Sequence, residues 1–235
     1  MPPTPRCFAL VPCAGVGVRA GVGGPKQYAA LRGQAAVAHT LAALTAVARV
    51  SATLVVLAPD DTAFETHAPG FVGERGWVAR CGGATRAATV TAGLQALRER
   101  GVLDHDWVLV HDAARCLLQP AWVDRLIDAC FGTAVGGLLA LPLADTLKQA
   151  DAAGHVTATL DRTAKWLAQT PQMFRFGLLH RALAFAKTAG AAVTDESSAV
   201  EALGLAPLLV PGDIENFKLT WPTDFALAAR LLETR

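Results

Sequence analysis

Aromatic side chains are scarce in this chain, 6% of 235 residues with a single Tyr. Its apolar mass is therefore carried mostly by Ala, Val and Leu, and 52% hydrophobic residues is far too many for a disordered chain. Charge is also sparse, at 17%, and nearly balanced: 21 Lys plus Arg against 20 Asp plus Glu, a formal net charge of +1. That balance excludes a chain-wide electrostatic grip on nucleic acid or an acidic membrane, so neither is expected as a partner, and only a local basic site stays open. Long apolar runs are missing. The longest, Ala134 to Ala144, falls short of the ~20 residues a spanning helix needs. Arg6 before Cys7-Phe8-Ala9-Leu10-Val11 has the outline of an export signal, but Pro12, Gly15 and Gly17 break it at once. The five cysteines are an odd number with no CxxC pair, which fits reduced thiols in a cytoplasmic protein and excludes a disulfide framework. The six histidines show no HExxH or similar metal-ligating cluster.

What is present is an alternation of short apolar runs with longer amphipathic ones. Cys7 to Val11, Thr53 to Ala58, Trp77 to Arg80, Asp106 to Val110 and Val135 to Leu141 read as strands. Val37 to Val47, Ala84 to Arg100 and Ala121 to Cys130 read as helices between them. Continuous apolar strands separated by helices predict a Rossmann-like α/β fold, a mostly parallel sheet with helices on both faces. After Pro142 the pattern becomes polar. Thr146 to Gln149 and His155 to Leu160 flank the turn-like Asp151-Ala152-Ala153-Gly154 and predict a hairpin with little core of its own. Helices over Gly177 to Thr188 and Glu196 to Leu203, strands over Ala206 to Val210 and Glu215 to Thr220, and a helix from Pro222 complete the reading. The expectation is one domain over residues 1–235, with a protruding arm at about 143–165.

Four groups of residues could carry chemistry. Pro12-Cys13-Ala14-Gly15-Val16-Gly17-Val18-Arg19, then Gly23-Gly24-Pro25-Lys26-Gln27, place a small-residue loop after a strand. Such a loop offers backbone N–H groups to phosphate oxygens, and Arg19 and Lys26 add cations where charge builds in phosphoryl transfer. The rival is a dinucleotide fingerprint, which Gly15-x-Gly17-x-x-Ala20 satisfies. It is weakened by the downstream glycines, by Arg19 at the packing position, and by the lack of an acidic residue ~20 positions on. Gly82-Gly83-Ala84-Thr85-Arg86 opens a helix that carries Thr89, either an ordinary helix entrance or a close-approach site for a base or sugar. His111-Asp112-Ala113-Ala114-Arg115 ends an apolar strand, where α/β sheets bind ligands. Asp112 could orient a hydroxyl or meet a Mg²⁺ carried by phosphates, or simply cap a turn with Arg115 as its ion partner. Arg162 and Lys218 read individually as surface cations, and Thr194-Asp195-Glu196-Ser197 as a capped helix start.

Taken in order along the chain, these pieces resemble the 2-C-methyl-D-erythritol 4-phosphate cytidylyltransferase family. The motifs are Pro12 to Ala20, Pro25-Lys26-Gln27, Gly82-Gly83 with Arg86 and Thr89-Val90, Val110 to Cys116, Asp145 to Lys148, Asp161-Arg162, Thr170-Pro171-Gln172, Thr194 to Ala199 and Asn216 to Thr220. The resemblance runs from Ala9 to the end. Cys13, Ala20 and Cys116 depart from the family's Ala, Met and Pro, and Thr89 keeps a hydroxyl where the family has Ser. None of these removes a charge, though Cys13 puts a thiol beside the expected nucleotide.

The resemblance implies a nucleotide-diphospho-sugar transferase-like fold and a homodimer joined by the arm. It implies CTP and 2-C-methyl-D-erythritol 4-phosphate as substrates, with Mg²⁺ on the triphosphate. Arg19, Lys26, Arg162 and Lys218 would be catalytic. Pro12, Cys13, Ala14, Gly15, Gly17, Lys26, Gly83, Thr89, Asp112, Ala113 and Arg115 would bind nucleotide, Asp112 being also the candidate metal contact. Thr146, Arg162, Thr194 and Lys218 would hold the sugar phosphate, with Arg162 delivered by the partner's arm. A pentitol-phosphate (ribitol 5-phosphate) cytidylyltransferase is the near alternative, set back by Ala113-Ala114 where such relatives tend to carry Ser-Val or Ala-Val. An NAD(P)-linked oxidoreductase and a non-catalytic nucleotide-binding module are the readings from other classes.

Overall fold

A computed structural model describes residues 4–15 and 24–235. Its first strand, β1 (Cys7–Pro12), shows why the sheet is covered on both faces. Cys7, Ala9 and Val11 point into one buried cluster, Phe8 and Leu10 into another. The first cluster is closed by α1 (Ala36–Thr45) and α4 (Pro120–Phe131), which supply Leu41, Leu44, Trp122 and Leu126. The second is closed by α3 (Arg86–Glu99) and α5 (Phe176–Thr188), with Val90, Leu94 and Leu179. A strand buried on both sides must be apolar throughout, which is the signal the sequence carries.

The central sheet has seven strands. From one edge the order is β11 (Leu208–Pro211), β7 (Gly136–Pro142), β10 (Trp166–Arg175), β6 (Trp107–Val110), β1, β4 (Val50–Val56) and β5 (Gly76–Ala79). The pairs β1–β4, β1–β6, β4–β5 and β7–β11 are parallel. Successive connections leave β1 toward β4 on one side and β6 on the other, so the loops after β1 and β6 part at the sheet's carboxyl end. That is the switch point where α/β sheets hold ligands.

Two expectations are corrected. Strand β10, not foreseen from the pattern, runs antiparallel between β6 and β7 and pairs Gln172 with both Val110 and Leu138. Pro171 argues against a central strand, since it cannot donate to the ladder. The structure seats it in a register shift between Ala168 and Gln172. The segment 215–220, expected as a strand, is irregular. Its backbone is used otherwise: the Leu219 N–H donates to the Ala114 carbonyl at 2.8 Å, and the Asn216 and Leu219 carbonyls accept from side chains described below. It lies as a strap across the switch point.

The polar hairpin is β8 (Leu147–Ala150) with β9 (Val156–Leu160). It stands at the tip of the longer hairpin that β7 and β10 form, joined by the Leu143 N–H to the Lys165 carbonyl at 2.9 Å. A short hairpin of β2 (Ala30–Leu31) and β3 (Gln34–Ala35) and a one-turn α2 (Phe64–His67) complete the connections on the β1–β4 side. Helix α6 (Glu196–Glu201) and the closing α7 (Pro222–Leu232) start where expected, α7 with Pro222 in its first turn. Among the described residues no helix is long and apolar enough to cross a membrane.

Candidate active site

At the carboxyl ends of β1 and β6 lies a cleft of about 510 Å³. Pro12, Cys13, Ala14, Gly15, Lys26, Gly83, Thr89, Asp112, Ala113 and Lys218 line it, so ten residues expected to form the site from distant parts of the sequence meet there. A smaller cleft of about 190 Å³ adjoins it and shares Arg86, Asp112 and Lys218. Arg115 and Thr194 open onto the smaller cleft, along with Thr170, Gln172 and Asp195. Arg115, expected among the nucleotide contacts, therefore stands on the other side of Asp112. Gly17 and Arg19 lie outside the described residues.

Asp112 sits between the two clefts, buried, in a ring of cations. Its Oδ1 accepts from Arg86 Nε at 2.9 Å, and its Oδ2 lies 3.0 Å from Lys218 Nζ and 3.5 Å from Arg115 Nε. Burial alone would push this carboxyl up, but Arg86, Lys218 and Arg115 hold it far below the usual carboxylate range. It is thus a permanent anion at any working pH. Arg115 is locked further by donating to the carbonyl of Asn216 at 2.6 Å. Lys26 reaches the same strap, donating to the Leu219 carbonyl at 2.6 Å.

The loop that carries Asp112 is fixed from below by a buried polar chain. His111 Nε2 lies 3.2 Å from the Arg115 carbonyl, an acceptor only, so Nε2 carries the proton. Nδ1 then accepts from the Thr170 hydroxyl at 3.0 Å, and that oxygen accepts the Asp112 N–H at 3.1 Å. Burial lowers the His111 pKa to about 4, which keeps the imidazole neutral and this tautomer in place. Asn216 adds its amide to the Thr170 carbonyl at 2.8 Å, tying the strap to β10.

The glycine pair has a different reason from the one expected. A Cβ on Gly82 would stand 2.4 Å from the Ala14 Cβ and 2.7 Å from the Leu57 carbonyl oxygen. The chain itself therefore needs this glycine, to bring the α3 entrance against the end of β1. Thr85 caps α3 by accepting the Ala88 N–H at 3.1 Å. Thr89 accepts the Gly83 N–H at 3.1 Å, so its hydroxyl shapes the turn as well as lining the cleft. Gln27 clips the loop by donating to the carbonyls of Cys13 and Gly15 at 3.2 and 2.9 Å. Cys13 is 2% exposed and belongs to the core, and burial pushes its thiol pKa up, so it is an inert packing thiol.

Thr146 and Arg162 are not brought to this site. Both are exposed on or beside the arm, and neither lines the larger or the smaller cleft. Several residues that shape the site were given no role from the sequence: Gln27, Arg86, His111, Thr170, Gln172, Glu196 and Asn216. Each stands in a motif quoted above, but no spacing rule pairs Arg86 with Glu196 or Thr170 with His111.

As chemistry, the arrangement is a basic cleft of backbone and small side chains, with no nucleophile–base pair and a single carboxylate among its described lining residues. It suits alignment of two anionic substrates with charge stabilisation between them.

Comparison with known proteins agrees. The 2-C-methyl-D-erythritol 4-phosphate cytidylyltransferase sequence pattern matches residues 7–234. A bifunctional enzyme IspD/IspF of Albidiferax ferrireducens is 60% identical over 232 residues, which are 99% of this chain and 54% of that protein. The 2-C-methyl-D-erythritol 4-phosphate cytidylyltransferase of Chromobacterium violaceum is 55% identical, over 97% of this chain and 98% of its own length. The crystal structure of a 4-diphosphocytidyl-2C-methyl-D-erythritol synthase superposes with a TM-score of 0.86 at 42% identity, covering 97% of this chain and 99% of that one. With fold, cleft and sequence in agreement over nearly its full length, the chain belongs to the 2-C-methyl-D-erythritol 4-phosphate cytidylyltransferase family.

Proposed function

We propose that the larger cleft takes CTP and the smaller one 2-C-methyl-D-erythritol 4-phosphate, and that the chain transfers the cytidylyl group from the first to the second in non-mevalonate isoprenoid biosynthesis. An oxygen of the sugar phosphate forms a bond to the α-phosphorus, and the bond from that phosphorus to the bridging oxygen of pyrophosphate breaks. The observation that carries this reading is the Asp112–Lys218 pair at 3.0 Å, which belongs to both clefts. A phosphate on Lys218 in the smaller cleft lies next to a triphosphate in the larger. No protein base is required, because a phosphate monoester is already largely dianionic at pH 7. Lys26 and Lys218 stabilise the charge that builds on the phosphorus oxygens, and the family resemblance adds Arg19 to them.

Mg²⁺ fits this site as an ion carried by the triphosphate. Asp112 is the one carboxylate among the described lining residues of the larger cleft, and both of its oxygens are in ion pairs. Among the described residues no group of three or more His, Cys, Asp or Glu could form a cage. Asp112 is then the residue that would contact Mg²⁺, with the triphosphate and water supplying the rest of the oxygen donors a hard cation prefers. Bound there, Mg²⁺ would neutralise triphosphate charge.

The arm supports a homodimer. Val156, Leu160, Trp166 and Leu167 are 63%, 38%, 38% and 53% exposed on and beside it, an apolar surface on an otherwise polar hairpin. In a dimer of this kind the partner's arm brings Arg162 and Thr146 to the smaller cleft. The five free cysteines, four of them buried, support a reducing compartment, the cytoplasm.

The test is pyrophosphate release from CTP with 2-C-methyl-D-erythritol 4-phosphate, with ribitol 5-phosphate, and with no acceptor. Rapid release with the first alone is expected. Equal or faster release with ribitol 5-phosphate would move the chain to the pentitol enzymes, and none with any acceptor would reject transfer.

A further inference from the structure

Arg86 lines both clefts, yet each of its three nitrogens already donates to a carboxylate of this chain. Nε donates to Asp112 Oδ1 at 2.9 Å, and its two terminal nitrogens donate to Glu196 Oε1 and Oε2 at 2.6 and 2.9 Å. Planar, five-donor geometry makes the Glu196 contact a two-point clamp that fixes the guanidinium in orientation as well as in place. Glu196 itself is 1% exposed and is the first residue of α6. That helix is anchored to β10, because Gln172 donates to Asp195 Oδ2 at 2.8 Å and accepts the Ser197 N–H at 2.8 Å. The rigid path therefore runs from β10 through α6, Glu196 and Arg86 to Asp112. With Oδ1 occupied by Arg86, only Oδ2 is left for Lys218 and Arg115.

We propose that Glu196 and Arg86 are a positioning pair for the transfer reaction: Glu196 clamps Arg86, Arg86 holds the Asp112 carboxylate in one rotation, and that rotation sets where Lys218 stands between the two substrates. The inference rests on the reading of the two clefts given above. Neither residue touches the reacting atoms. Their contribution is to keep the shared cation of both subsites in a single place, where misplacement by about 1 Å is enough to cost a large factor in rate.

Two variants and two readouts test it. In Glu196→Gln an amide NH₂ faces a guanidinium N–H, so the clamp loses one of its two points. We expect kcat to fall at least tenfold while KM for CTP changes less than threefold. Independently of turnover, acetylation of Lys218 by an amine-reactive ester, followed by peptide mass spectrometry, should run at least threefold faster than in the parent, with Lys148 and Lys187 unchanged. Arg86→Met/Glu196→Met removes both charges together and leaves no buried ion alone, so it keeps the test open if the single variant unfolds. It should show the same kcat loss and the same gain in Lys218 reactivity. Recovery of parental kcat in the double variant, or unaltered Lys218 labelling in a folded Glu196→Gln protein, overturns the proposal. A parent protein that transfers nothing while Lys218 labelling responds to Glu196→Gln overturns instead the reading of the clefts.

Discussion

The ammonium of Lys26 donates to the backbone carbonyl of Leu219 at 2.6 Å, joining the segment that follows the glycine-rich loop to the strap that carries Lys218. Two cations expected at the site are thereby tied through one backbone segment. Lys26→Ala removes both a charge and that tie. The expected result is a loss of kcat of at least a hundredfold in pyrophosphate release, with far-ultraviolet circular dichroism unchanged. A folded Lys26→Ala protein with near-normal turnover would sink this role.

Asp112 shares Arg86 with Glu196 and is itself the carboxylate paired with Arg115 and Lys218, so Asp112→Asn leaves positive charge at the site uncompensated. Breaking a buried ion pair by removing one partner costs about 3–5 kcal/mol. We expect a loss of that order in urea-unfolding free energy, together with loss of turnover. Since the folded carboxyl is held well below its unfolded value of about 3.9, its contribution is fully present above that pH and fades as pH falls further. The variant should therefore differ in stability from the parent at pH 7 and converge with it in strong acid. A constant difference down to pH 2 would refute the ionic origin.

His111 acts in a separate window. Its folded pKa of about 4 lies below the unfolded 6.5, so the unfolded chain binds its proton first as pH falls. Stability should drop between pH 6.5 and 4, by up to ~3 kcal/mol at 1.36 kcal/mol per unit. Glu196, whose carboxyl burial pushes up, gains a proton in the folded state first as pH falls and so opposes this slope. The comparison that isolates His111 is melting temperature against pH for the parent and for His111→Gln. The slope attributable to position 111 should vanish in the variant, and an unchanged slope would rule it out.

Gly82→Ala should act on both stability and nucleotide binding. The added methyl meets the Ala14 Cβ at 2.4 Å and the Leu57 carbonyl oxygen at 2.7 Å. Overpacking of this kind costs about 1–3 kcal/mol, and the relief available is movement of the loop after β1 that carries Ala14. A raised KM for CTP and a lowered melting temperature are expected. Gly132→Ala, where a Cβ meets nothing within 4 Å, is the control and should change neither.

The arm gives a test by complementation. Mixing inactive Arg162→Ala with inactive Lys218→Ala, after dissociation and reassembly, should restore about a quarter of parental activity. Half the dimers are then mixed, and each has one intact site. No recovery, with mixed dimers shown to form, would mean that Arg162 does not serve the partner's site.

Much of the fold was legible because its central strands are buried on two faces and must read as unbroken apolar runs, as Phe8 to Val11 and Val108 to Val110 do. Strand β10 was not, because its middle is Thr170-Pro171-Gln172, whose polar groups are satisfied by Asp112, His111, Asp195 and Ser197 from elsewhere in the chain. The strap over 215–220 misled in the opposite direction: alternating apolar side chains imitate a strand where the partners are side chains and a loop.

By itself the sequence determined which chemistry is available: a small-residue loop after a strand, a carboxylate at a strand end, and scattered cations in a recognisable order. Only the tertiary structure decided which of those cations share an anion. Hydrogen bonds and ion pairs across 110 residues, such as Arg86 with Glu196, leave no periodicity in the chain, because their geometry is fixed by how β6, β10, α3 and α6 pack. The same physical reason separates the +1 of the whole chain from the basic cleft within it. Net charge is a sum over residues, whereas the field at a site depends on which of them the fold brings within a few ångströms.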